Sequence, residues 1–252
     1  MISLCRRFAR LCGGMLVAGG AGLATAHAQK PCQLRSAVDS LTIPHLQASR
    51  TLLADPDAVP WHSAAIAELR HDCTRVLDYP DLATQVRAFW SDSALYFLFV
   101  APYRKLNLFL PAQGDGDRDK LWDRDVVEIF LGSDQKNINR YREFEIAPTG
   151  DHVDLNIEYD LRHYDQTWDS HWRTAARIDE QAHRWYAVAS IPLAAISAEP
   201  PRPGTRWRMN LYRIDGEGPD QNRRFLCWRS TCVVNRDPNH VPEAFGTLIF
   251  GR

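Results

Sequence analysis

The sequence predicts an all-β fold, an antiparallel β-sandwich of jelly-roll-like type with few short helices, on three observations. Nine segments are rich in β-branched and aromatic residues, and Gly, Pro, Asp or Asn turn signals bound each of them. No long stretch of 3.6-residue hydrophobic periodicity competes with them. Their short, regular spacing suits a sandwich better than alternating strands and helices would.

The predicted strands cover residues 85–90, 94–100, 126–131, 142–147, 152–159, 173–178, 185–191, 206–214 and 246–250. Short helices are expected around 63–69 and 193–196. The Pro-rich stretch 199–204 reads as a loop, because strand patterning resumes directly after it. Before the first strand, Arg6, Arg7 and Arg10 precede a small apolar run and an Ala26-His27-Ala28 cleavage signal. Residues 1–28 are therefore expected to be a secretory signal peptide cleaved near Ala28. The apolar run is shorter than the roughly 20 residues a membrane helix needs, so no membrane anchor is expected.

Residues 29–252 remain as one expected domain, secreted or periplasmic, and of a size that supports its own core. Of the 30 basic residues 27 lie beyond the leader, against 31 acidic ones, a balance that gives no electrostatic footprint for nucleic acid. Cys32, Cys73, Cys227 and Cys232 would meet an oxidising compartment. Four cysteines allow three disulfide connectivities, and their spacing forms no paired zinc knuckle.

Strand alternation locates the candidate chemistry. In LWDRDVVEIFLG, starting at Leu121, Val127, Ile129 and Leu131 fall on one face while Val126, Glu128 and Phe130 fall on the other. In YREFEIAPTG, Phe144 and Ile146 oppose Tyr141, Glu143 and Glu145. Two neighbouring strands thus carry carboxylates away from their aliphatic faces. In HVDLNIEY the polar set is His152, Asp154, Asn156 and Glu158, and in RWRMNLYR it is Arg206, Arg208, Asn210 and Tyr212. Together these sets suggest a sheet with a polar face. Trp122 and Trp228 supply aromatic surface, and sugars need both rings for their C–H faces and paired donors and acceptors for their hydroxyls.

LWDRDVVEIFL, YREFEIAPTGDHVDLNI, WRMNLYRID, FLCWRS and HVPEAFGTLIF resemble, in that order, the signatures of family-nine-like carbohydrate-binding modules. The resemblance runs from about residue 84 to 250. It implies a non-catalytic β-sandwich that grips the end of a glycan between two tryptophans and can carry structural calcium. By position, Trp122 and Trp228 match the aromatic pair, Glu128 matches a glutamate that bonds sugar hydroxyls, and Arg142 matches an arginine of the site. Alternation sets Arg142 on the face of Phe144 and Ile146, at odds with ligand contact unless it lies beyond the core. Cys227, beside Trp228, departs from the pattern.

The implied ligand is an oligosaccharide or polysaccharide, with an exported glycoside hydrolase as an expected partner. No cofactor is required. The acidic loop with Asp115, Asp117 and Asp119 is the candidate calcium site, although Lys120 and Val126 stand where an EF-hand needs glycine and glutamate. Two other functions stay open. A glycoside hydrolase would pair Glu128 with Glu143 or Glu145. A haem-binding electron-transfer domain would have to use Met209, which alternation places on an apolar face with Trp207 and Leu211.

Overall fold

The computed structural model describes residues 40–47, 54–74, 77–114, 116–219, 222–233 and 236–252. The expected signal peptide and Cys32 lie outside them. Among the described residues, thirteen strands form two sheets. The smaller has five strands in the order β2 (Ala65–Leu69), β3 (Thr84–Trp90), β4 (Ala94–Pro102), β10 (Arg184–Pro192) and β9 (Arg173–Asp179). The larger runs β1 (Ser40–Ile43), β13 (Gly246–Phe250), β11 (Arg206–Asp215), β5 (Val126–Gly132), β6 (Arg140–Ile146), β7 (His152–Glu158) and β8 (His163–Asp165). Its eighth strand, β12 (Arg224–Cys227), pairs with the second half of β11.

The pairing is antiparallel except between β1 and β13, which run parallel. The only α-helix among the described residues is one turn, α1 (Leu193–Ile196), where the sequence predicts it. The helix expected at 63–69 is a correction. A 3-10 turn at Val59–Ser63 leads into β2, whose backbone pairs with β3 from Ala65 to Leu69. A sheet edge supplies more backbone hydrogen bonds there than an isolated turn of helix could retain.

One face of each sheet packs against the other. Val127, Ile129 and Leu131 of β5, Phe144 and Ile146 of β6, and Trp207, Met209 and Leu211 of β11 meet Val86, Phe97, Phe99, Trp185 and Ala187 of the smaller sheet. Arg213 is fully buried between the layers, donating to the Leu82 carbonyl at 3.0 Å and to Thr84 Oγ1 at 2.9 Å, while Asp215 balances its charge at 2.9 Å. A buried arginine without these acceptors would cost several kcal/mol, on the order of the usual desolvation penalty.

The outer face of the larger sheet is also buried, and this positions the site. Val126, Phe130, Tyr141, Val153, Leu155, Ile157, Tyr212 and Ile214 form a second apolar cluster beneath Leu121 and Cys73. Loops cover it. A disulfide joins Cys73 to Cys227 of β12 across 154 positions of chain, and Asp125 accepts hydrogen bonds from Asn107 and Gly216 backbone N–H groups. Cys232 is disulfide-bonded as well.

Candidate functional site

The outer face carries three glutamates under the loops. Glu128 of β5 lies directly opposite Glu145 of β6, and Glu143 is two residues away on the same face. All three are buried, and one carboxylate oxygen from each lies within 4.8 Å of the others. Alternation within β5 and β6 fixes this convergence, since residues i and i+2 point the same way and opposed residues on paired strands share a face.

Burial pushes all three carboxyls above the usual range. For Glu128 the Glu143 and Asp237 charges add to that effect, while Asn239 and Arg223 oppose it. For Glu145 the neighbouring Glu128 and Glu143 charges add to it. For Glu143 desolvation dominates and His240 opposes it. Two ionised carboxylates at this separation repel by roughly 3 kcal/mol at an effective dielectric near 20. The cluster therefore favours anything that neutralises it.

A cavity of about 440 Å³ opens above the glutamates, within the range of small-molecule sites. Trp122, Tyr159, Tyr164 and Phe225 give it aromatic walls; Asp123, Arg223, Asp237, Asn239 and His240 supply polar groups. Asn239 Nδ2 donates to Glu128 Oε2 at 2.8 Å. His240 Nδ1 is hydrogen-bonded to Tyr141 Oη at 2.8 Å, its Nε2 lies 3.7 Å from Glu143 Oε2, and its ring stacks parallel to Tyr159 at 6.0 Å. Arg223 donates to the Trp122 carbonyl at 2.5 Å and its guanidinium lies over the Phe225 ring. These contacts hold the Trp122 turn against β12.

Of the site residues expected from sequence, Trp122 and Glu128 line this cavity. Trp228 does not. It is only 6% exposed and packs in the intersheet core, with its ring so close to Gly246 that a Cβ there would meet it at 2.9 Å. The expected slot between Trp122 and Trp228 is thus a correction, and its cause is alternation in β12. Phe225 and Cys227 pair with Ile214 and Tyr212 and share their outer face, so Leu226 and Trp228 turn inward. The same register makes Phe225 the cavity aromatic.

Arg142 also lies away from the cavity. It bonds Asn156 and lies over the Trp168 ring at 4.9 Å, on the inner side that alternation assigns it. The polar set of β7 is a further correction: Val153 and Leu155, not Asp154 and Asn156, stand opposite Glu145 and Glu143. Arg223, Asp237, Asn239 and His240 had no sequence signal, since loops from distant parts of the chain deliver them, and Tyr164 comes from the three-residue edge strand β8, which the sequence does not predict.

In the acidic loop Asp115 lies outside the described residues. Asp117 forms a backbone bridge to His152, and its carboxyl is pushed up to about 6 by burial, with the Asp154 charge adding. Among the described residues, Asp117 and Asp119 join no group of three convergent ligand atoms. Met209 is fully buried in the core, which accounts for it without haem. No helix among the described residues is long and apolar enough to cross a membrane.

No protein-family model matches the chain. It is 25% identical over 209 residues to an "Extracellular protein" of Arthroderma benhamiae, covering 76% of this chain and 87% of that relative. Its structure is similar to that of a candidate carbohydrate-binding protein from Bacteroides uniformis, with a TM-score of 0.63 at 17% identity over 84% of this chain and 99% of that one. It is similar as well to a family 9 carbohydrate-binding module from Caldicellulosiruptor kristjanssonii. In complex with cellotriose that module gives a TM-score of 0.58 at 15% identity, over 84% of this chain and 94% of the module. In complex with glucose it gives 0.57 at 15% identity, over 84% and 96%. The chain has the β-sandwich fold of the family 9 carbohydrate-binding modules.

Proposed function

We propose that this protein is an exported, non-catalytic carbohydrate-binding module whose ligand enters the cavity above Glu128. The observation that carries the reading is the cavity itself, with aromatic walls at Trp122, Tyr159, Tyr164 and Phe225 and a carboxylate floor, in a fold shared with sugar-binding modules. Trp122 stacks on the C–H face of a sugar ring, and a tyrosine or Phe225 takes the place first assigned to Trp228. Glu128 accepts from a sugar hydroxyl, with Asn239 orienting its carboxylate.

On this reading the ligand is an oligosaccharide or the end of a polysaccharide, and the protein serves polysaccharide breakdown or uptake beside an exported glycoside hydrolase. The leader and the absence of a long apolar helix among the described residues support export. No cofactor takes part in sugar binding. The loop with Asp115, Asp117 and Asp119 stays a separate proposed calcium site, tested by calcium-dependent protection of that loop from proteolysis.

A glycan array, followed by calorimetry on the best ligand, tests the reading. Trp122→Ala is expected to weaken binding at least about tenfold, equivalent to about 1.4 kcal/mol, with the circular dichroism spectrum unchanged. Glu128→Gln is expected to weaken it as well. Unchanged affinity in both variants would sink the assignment, and oligosaccharide turnover that disappears in Glu128→Gln would make the protein a hydrolase.

A further inference from the structure

The glutamate cluster has a feature that sugar binding does not use. Both oxygens of Glu145 and Oδ1 of Asn239 are buried and receive no N–H or hydroxyl donor, the neighbouring Glu143 carboxyl being the contact of Glu145, and Oε2 of Glu143 has only His240 Nε2 beside it, at 3.7 Å. Asn239 is 3% exposed and its other amide atom is bonded to Glu128, so the free carbonyl oxygen lies at the cluster. Every unpartnered atom in this group is an oxygen acceptor. Buried polar atoms are nearly always satisfied, so the set calls for a species that accepts electron pairs from several oxygens at once.

We propose that Glu128, Glu143 and Glu145, with the Asn239 carbonyl, bind a calcium-sized divalent cation beneath the cavity. The three carboxylate oxygens lie within 4.8 Å of one another, a separation that lets one ion with metal–oxygen distances of about 2.3–2.6 Å touch all three. The set contains no sulfur and no ring nitrogen, which suits a hard ion over zinc or copper. An ammonium group on a ligand is the weaker fit, because the Glu145 oxygens are closed to water and hence to a group of that size.

The site differs from the acidic loop in residues and in sheet position, and it does not depend on the cavity binding sugar. Glu128 and its partner Asn239 serve both the ion site and the cavity, so Glu145 is the residue that separates them and Asn239 is changed only to read the affinity for the ion. The full chain, stripped with chelator, is titrated with calcium by calorimetry and with terbium, whose emission is sensitised by nearby aromatic rings. The wild type is expected to bind one more calcium than Glu145→Gln. In Asn239→Leu the affinity for that ion is expected to fall about tenfold or more.

Equal stoichiometry in wild type and Glu145→Gln, both folded by circular dichroism, would overturn the proposal. Should Glu145→Gln not fold, a wild-type crystal soaked in terbium decides. An anomalous peak among the three carboxylates supports the site, and peaks elsewhere alone overturn it. Sugar binding is measured on the same samples with and without calcium. In the wild type, calcium binding at the cluster without sugar binding counts against the proposed function, and sugar binding with no ion at the cluster counts against this inference.

Discussion

The two faces of the eight-stranded sheet are both buried, but for different reasons. The inner face is sealed by a second sheet whose side chains interlock with Trp207, Met209, Leu211 and Trp228. The outer face is closed by loops, a disulfide and a few aromatic rings, and it holds three glutamates beside Phe130 and Leu155. A sheet packed on a sheet excludes water with little room left, as interiors reach crystal-like density. A sheet packed under loops leaves a cavity, and chemistry can gather there. Burial alone therefore says nothing about function; what covers the face does.

The largest expected effect tests the inner face. Trp228→Ala should destabilise the protein by about 3–5 kcal/mol, as large core truncations do, measured by urea denaturation. Lost sugar affinity with unchanged stability would return Trp228 to the site and break the distinction between the faces. Next comes the cover of the outer face. Replacing Cys73 and Cys227 together by serine should cost about 2–4 kcal/mol, read as a lower thermal midpoint under non-reducing conditions. A midpoint equal to the wild type would mean that the loops close the face without the bridge. The smallest effect concerns the inner edge. Arg142→Ala should leave ligand affinity unchanged and lower stability by about 0.5–1 kcal/mol through the lost contact with Trp168. A tenfold weaker affinity would place Arg142 in the site after all.

Much of the site was legible in two strands. VVEIFL and YREFEI alternate cleanly, and the faces read from them are the faces observed, while the register that sets Glu128 opposite Glu145 belongs to the pairing of β5 with β6. Alternation also exposed the difficulty with Arg142. In FLCWRS it separates Phe225 and Cys227 from Leu226 and Trp228, and the pairing of β12 with β11 then turns Trp228 inward. The polar side of β7 was misjudged for the same reason. Its sequence divides into an apolar and a polar set but holds no information on which set faces the glutamates. The register of β7 on β6 decides that, and it brings Val153 and Leu155 to the acids while Asp154 is buried at the inner edge, accepting from the Ser170 N–H.

Sequence by itself determined the sandwich, most of its strands, and the sidedness of each strand, because a period of two is a local property of an extended backbone. Tertiary structure alone decided how the strands' faces align, which tryptophan enters the core, and which loop residues join the cavity. Asn239 and His240 lie about a hundred residues beyond the glutamates they meet. Contacts at that separation depend on register, loop closure and a disulfide between distant segments, and no local pattern in the chain encodes them.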